Sequence, residues 1–198
     1  VNGGWSAGLQ DGWVRRWTYG ATYQQSDFAP VPYEPLGGPL PADRKFVYPW
    51  VGFELVQDSF QERVNQDQIR RTEDVLVGFN GWVRLGLATE SFGSATDAVL
   101  ASAYASEGAD LSPTQSVFGS AWVSGRYEHG EIRNGILGAE ARYYVATSAR
   151  SKFFANVSGT VTEQLDQDQQ LTLGGDTGLR GYPFAYQAGT AKALLAHD

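Results

Sequence analysis

The chain has no cysteine and no methionine among its 198 residues, and only two histidines. Without cysteine there is no disulfide framework and no thiolate metal site, a composition suited to passage through an oxidising compartment. No stretch approaches the run of about 18 apolar residues that a membrane helix needs, which excludes a helical membrane protein. Cations are outnumbered, 15 Lys and Arg against 22 Asp and Glu, for a net charge of -7. No basic stripe exists to neutralise phosphates, so nucleic acid is excluded as a partner. His129 and His197 fall in a turn and at the chain end. They offer neither a Ser-His-Asp relay nor a histidine-ligated metal, and no catalytic residue, cofactor or metal is expected. Because the sequence starts at Val1 without an initiator or a leader pattern, it is expected to be a piece of a longer chain with any signal peptide upstream.

Glycine and aromatic residues are abundant: 24 Gly with 6 Trp, 10 Tyr and 10 Phe. That mixture favours strands and discourages helices. Residues 13–24 alternate, with Trp13, Trp17, Tyr19, Ala21 and Tyr23 on one face and Arg16, Thr18, Gly20, Thr22 and Gln24 on the other. The same period of two places Val75, Val77, Phe79, Val83, Leu85 and Leu87 opposite Asp74, Gly78, Asn80, Arg84 and Gly86. It returns at 117–127, 135–145 and 153–161. The spacing predicts one all-β domain over 1–198 with about eight strands, near 13–27, 46–57, 74–88, 97–106, 116–128, 134–146, 152–163 and 186–196. Each is close to the ~10 residues of a membrane-spanning strand. The proline-rich segment 28–45 reads as an exposed loop, while the long polar connection 57–72 has no counterpart in that scheme.

Alternation alone does not say which face meets water. A soluble barrel buries its apolar face inside, and a membrane barrel turns it outward. The polar face here combines Gly20, Gly78, Gly86 and Gly138 with Glu54, Arg84, Arg126, Glu140 and Arg142. Small residues with charges of both signs suit a lumen, and Trp13, Tyr23, Tyr127 and Tyr143 near strand ends suit an aromatic girdle. The pattern therefore predicts an antiparallel transmembrane β-barrel with those five charges facing the lumen. A self-contained small outer-membrane barrel with a structural or adhesive role, and a soluble β-barrel binding a small apolar ligand, stay open as alternatives.

One stretch stands apart: "LGGDTGLRGYPFAYQAGTA", residues 173–191. An aspartic-protease reading of Asp-Thr-Gly lacks a second such triplet. A phosphate-cradle reading lacks the Lys-Ser/Thr and helix that should follow. The third reading is a loop that carries Arg180 into a polar cavity. Leu179, Arg180, Gly181 and Tyr182 resemble the inward-folding sixth extracellular loop of the BamA/TamA/TpsB superfamily of outer-membrane assembly and secretion barrels, and residues 47–78 resemble strand pairs of its bacterial surface-antigen branch.

The resemblance implies the central part of a sixteen-stranded barrel in the bacterial outer membrane, one that is not an enzyme and inserts or exports polypeptides. It implies outer-membrane lipid and a client polypeptide as partners, with accessory periplasmic domains or lipoproteins of the parent. It further implies that loop 171–185 folds into the lumen on hinges at Gly174, Gly175 and Gly178. The resemblance places the partner of Arg180 on the wall beyond residue 198; within this chain, facing alone makes Glu140 the candidate.

Overall fold

In the sequence, residues that alternate apolar and polar also carry few helix formers, and in the computed structural model they are extended. The structure describes residues 1–30, 39–64, 66, 71–148 and 151–197. The chain forms β1 (Asn2–Gln10), β2 (Trp13–Ser26), β3 (Arg44–Gln57), β4 (Phe60–Val64), β5 (Thr72–Leu76), β6 (Asn80–Ala88), β7 (Ala98–Ser112), β8 (Gln115–Glu128), β9 (Glu131–Ser148), β10 (Ser151–Glu163), β11 (Leu171–Leu173), β12 (Gln187–Gly189) and β13 (Ala191–His197). Nine of them make one antiparallel sheet in the order β1-β2-β3-β6-β7-β8-β9-β10-β13, while β4-β5 and β11-β12 form separate pairs. Among the described residues the large sheet is open, with β1 and β13 as its edges.

The fold is all-β and the strands are mostly where the alternation puts them, with four differences. Strand β1 was not expected. Strand β7 runs on to Ser112. The expected strand 186–196 divides into β12, paired with β11, and β13, paired with β10. The expected strand 74–88 is broken. Its first residues belong to β5, and the break has a cause: the Ser59 carbonyl accepts from the Val77 and Gly78 N–H groups at 2.8 and 3.3 Å, drawing the chain off the ladder. Gly78 permits this, since a Cβ there would lie 2.8 Å from the Ser59 side chain. Val75 and Val77 consequently do not share the face of Val83 and Leu85. They pack with Phe118 and Tyr144 on the opposite side of the sheet.

The two faces of the sheet differ sharply. On the open face Val51 is 50% exposed, Leu85 52%, Leu137 55% and Val157 52%. On the other, covered face, the polar residues Thr18, Ser102, Ser116, Ser120, Ser124 and Thr160 are buried or half-buried. Two small apolar clusters lie there, Phe46 with Ala88 and Ala98, and Val77 with Phe118 and Tyr144. Aromatic rings on this face lie over glycines of the neighbouring strand. A Cβ at Gly20 would come within 2.7 Å of the Trp50 ring, one at Gly108 within 2.6 Å of Phe118, and one at Gly138 would collide with Trp122. Each of these is a directly opposed cross-strand pair, so the missing side chain makes room for its partner's ring to lie down.

Antiparallel connectivity gives the sheet a first end, where β2 joins β3, β6 joins β7, β8 joins β9 and β10 leads to β11, and a second end, where β3 leads to β4 and β7 joins β8. The polar connection 57–72 finds its explanation at the second end. Its described residues, with 73–76, form the β4-β5 hairpin, and positions 65 and 67–70 lie outside the described residues.

Candidate functional site

At the first end five charged side chains from three separate places meet. Arg44 opens β3, Arg126 and Glu128 close β8, and Asp166 and Asp168 lie in the segment after β10. The Arg126 guanidinium donates to both Asp166 oxygens at 2.7 and 2.6 Å and to Glu128 at 3.0 and 3.3 Å. Arg44 donates to both Asp168 oxygens at 2.7 and 2.8 Å, and its Nε lies 3.6 Å from Asp166. Strands β3 and β10 are five places apart in the sheet, roughly 24 Å across a flat sheet at ~4.8 Å per strand. The segment after β10 therefore reaches back across the end of the sheet to make these contacts.

The planar guanidinium fork matches a carboxylate in two parallel bonds, and charge strengthens each bond. The Arg126 and Asp166 side chains are 9% and 10% exposed, so water screens the pair little. Burial by itself would push the Asp166 carboxyl up. The hydrogen bond and charge of Arg126, then the charges of Arg44 and Arg133, outweigh it and hold the group below its ordinary value. The clamp closes over a cavity of about 220 Å³ bounded by Tyr48, Arg84, Ser102, Ser124 and Asp166.

All five charges expected on the lumen side are on the covered face. Glu54 pairs with Arg16 at 2.8 Å. Arg84 lies over the Trp50 ring at 4.0 Å and the Trp82 ring at 5.8 Å. Glu140 and Arg142 pair with each other at 3.2 Å, with Arg142 also over Phe118 at 5.9 Å. These are the ways a charge on a half-buried sheet is satisfied, by an opposite charge or by an aromatic face.

In the glycine-rich loop Gly174, Gly175 and Gly178, the glycines expected as hinges, all have positive φ. Gly174 has φ 146° and Gly178 φ 127°, values a side chain rarely adopts. A Cβ at Gly174 would strike the Pro183 carbonyl, and one at Gly178 would strike Leu194, a covered-face residue of β13 opposite Ser158. The stem is thus folded tightly against the covered face, with Thr177 N–H donating to the Gly174 carbonyl at 2.8 Å and Gly175 N–H to the Tyr182 carbonyl at 3.2 Å. Leu179 is half-buried, whereas Arg180, Gly181 and Tyr182 are exposed and the Tyr182 ring leans on Tyr186 at 5.0 Å. Arg180 has no hydrogen bond or ion pair to another described residue. Glu140, offered as its partner, is engaged by Arg142 instead.

The loop is anchored with the opposite polarity to the one sought. Its upstream segment supplies carboxylates and the sheet supplies arginines. Sequence reasoning grouped Arg126 with the polar face and did not single out Arg44, Glu128, Asp166 and Asp168. The available signal was the Asp-Gln-Asp run at 166–168, directly after a strand, with arginines at two other strand ends.

Among the described residues no group of three or more His, Asp or Glu side chains is placed to hold a metal ion. His129 contacts Thr96 at 3.2 Å in the β8-β9 turn, and His197 lies on β13 opposite Ala155. No family model, curated protein or solved structure matches the chain.

Proposed function

We propose that the sheet is part of the wall of a transmembrane β-barrel in the bacterial outer membrane, with its open face towards lipid and its covered face lining the lumen. The observation that carries this reading is the inverted burial. Val51, Val83, Leu85, Val123, Leu137 and Val157 stand exposed on one face, while serines, threonines and paired charges are covered on the other. In water that arrangement loses the hydrophobic stabilisation a soluble sheet depends on, and in a bilayer it gains it. The same observation weighs against the soluble ligand-binding barrel, whose apolar face would be the covered one.

The dimensions fit. Trp13 and Tyr23 lie ten residues apart on the open face of β2, which at ~3.3 Å per residue and a tilt near 45° is roughly 23 Å of membrane depth, against an apolar band of ~25 Å. Four open-face charges, Arg15, Lys45, Glu107 and Glu163, belong at the margin of that band. Lys45 is opposite Gln25 and two residues from Val47, which faces Tyr23, and Glu163 is at the last position of β10. Arg15 is two residues from Trp13, and Glu107 opposes Gly119, two residues from Val117, which faces Tyr143. Long side chains at that depth reach the interface.

In this reading the parent inserts or exports polypeptides, as the Leu-Arg-Gly-Tyr resemblance implies, with the 164–190 segment lying inside the first end of the lumen. The full-length protein should float with vesicles of outer-membrane lipid and resist extraction by urea. Recovery as a folded, soluble monomer without lipid or detergent would overturn the proposal.

A further inference from the structure

Three adjacent strands carry the same arrangement at the middle of the covered face. Trp82 of β6 opposes Tyr104 of β7, which opposes Trp122 of β8. Side chains two apart on a strand share a face, so each ring is flanked on its own strand by polar groups: Asn80 and Arg84 beside Trp82, Ser102 and Ser106 beside Tyr104, Ser120 and Ser124 beside Trp122. The register keeps these groups in line. Arg84 opposes Ser102 and Ser102 opposes Ser124 on the first-end side, while Asn80 opposes Ser106 and Ser106 opposes Ser120 on the second-end side. A row of rings thus lies between two rows of hydrogen-bonding groups.

The rings present surfaces rather than a pocket. Trp82 and Tyr104 lie 6.5 Å apart at an interplanar angle of 21°. Trp122 lies down over Gly138 of β9, where a Cβ would collide with it. Trp82 is 37% exposed and the other two rings are half-buried, and none of the three belongs to either apolar cluster. The flanking rows border open space: a cavity of about 220 Å³ touches Arg84, Ser102 and Ser124, and one of about 420 Å³ touches Asn80, Ser106 and Ser120. The Asn80, Ser102, Ser106, Ser120 and Ser124 side chains have no hydrogen-bond partner among the described residues, and their polar atoms are accessible rather than sealed. Arg84 meets the faces of Trp50 and Trp82, an arrangement that leaves the N–H edge of its guanidinium for an acceptor.

This combination discriminates between ligands. An acyl chain or an apolar side chain would gain from the rings but desolvate both polar rows without replacing their bonds. A small anion would use Arg84 and leave the rings idle. A pyranose sugar has C–H groups on its faces, which stack on aromatic faces, and hydroxyls around its rim, which both donate and accept. The row spans two strand spacings, roughly 10 Å at ~4.8 Å each, which is about the length of a disaccharide. We propose that Trp82, Tyr104 and Trp122 form a platform for a linear oligosaccharide laid across β6, β7 and β8, with Asn80, Arg84 and the four serines bonding its hydroxyls. The proposal rests on reading the covered face as a lumen, the space that holds the sugar, and adds a saccharide ligand to that reading.

The test uses the full-length protein, folded in a detergent without a sugar headgroup and titrated calorimetrically with maltotriose, cellotriose and chitotriose. Saturable binding of at least one trisaccharide is expected, and Trp82→Ala should weaken it about tenfold, as loss of one stacked ring implies. Ser120→Ala with Ser124→Ala keeps the rings and should weaken binding several-fold with wild-type unfolding. Trp17→Ala, on the open face, should leave it unchanged. Binding that survives the loss of both Trp82 and the serine pair would put the sugar elsewhere and overturn the platform. A protein that floats with vesicles but binds none of the three sugars would overturn it while leaving the barrel standing, as would an unfolded polypeptide binding at these rings in their place. Failure to float with vesicles would overturn the barrel reading and the platform together.

Discussion

Removing the Asp166 carboxylate tests whether the first-end clamp is a structural tie or an incidental contact. In Asp166→Ala the Arg126 guanidinium loses its two shortest bonds, 2.7 and 2.6 Å, and keeps Glu128 at 3.0 and 3.3 Å. Breaking a buried pair by deleting one partner costs about 3–5 kcal/mol when the survivor is stranded. Here Glu128 remains and the adjoining cavity of about 220 Å³ admits water, so the expected cost is about 2–3 kcal/mol. The exposed pair Arg133–Glu131, at 3.0 Å with side chains 45% and 53% exposed, serves as a control and should contribute about 0–1 kcal/mol. The assay is denaturant unfolding of the full-length protein refolded into lipid vesicles, run as a double-mutant cycle with Arg126→Ala. A coupling energy of about 1.5–3 kcal/mol is expected, and one below about 0.5 kcal/mol would refute the clamp. Acid gives an independent reading. Because the folded Asp166 carboxyl is held below its ordinary value, its contribution is present above about pH 4 and is lost as the pH falls through the lower, folded value. Asp166→Asn should remove that part of the acid sensitivity.

Three further outcomes follow from the geometry. Val83→Arg puts a charge on the open face and should cost about 2–4 kcal/mol of stability in vesicles, whereas Asn80→Arg, on the covered face, should cost much less; equal costs would reverse the face assignment. Gly138→Val drives a side chain into the Trp122 ring and should destabilise by about 1–3 kcal/mol through overpacking, with a shift in tryptophan fluorescence; unchanged emission and stability would show that the ring is not seated there. Arg180→Ala, at an exposed position, should change stability by no more than about 0.5 kcal/mol, while impairing assembly or transport by the parent; normal transport would leave Arg180 as a solvated loop residue.

Strands β2, β8, β9 and β10 were legible because each repeats the apolar-polar alternation over nine residues or more, and a one-residue slip would exchange their two faces. Strand β1 was not. It has Gly3, Gly4 and Gly8 and few large side chains, and its strand geometry comes from pairing with β2, including Trp5 opposite Trp17. The 74–88 reading failed for a related reason. Alternation continues in letters across Gly78, but the bend there is imposed by the Ser59 carbonyl, 18 and 19 positions upstream of its two donors. The clamp was the least legible, since its bonds join residues 40 and 124 positions apart, and no local pattern encodes which strand ends a folded sheet brings together.

The two ends of the covered face are tied in different ways. At the first end, doubly bonded guanidinium-carboxylate pairs with side chains 9–28% exposed fix the segment after β10 to β3 and β8. At the second, among the described residues, Arg63 of the β4-β5 hairpin pairs with Asp110, whose side chain is 40% exposed, and Lys152 donates to the Val64 carbonyl. Opening the first end means stranding buried charge. The asymmetry also bears on Arg180. With the loop's upstream segment already anchored through Asp166 and Asp168, the arginine is not needed to hold the loop in place, which is compatible with the transport role proposed above. A loss of transport in Arg180→Ala together with wild-type stability would separate that role from anchoring, whereas parallel losses of both would show that Arg180 and the clamp do the same work.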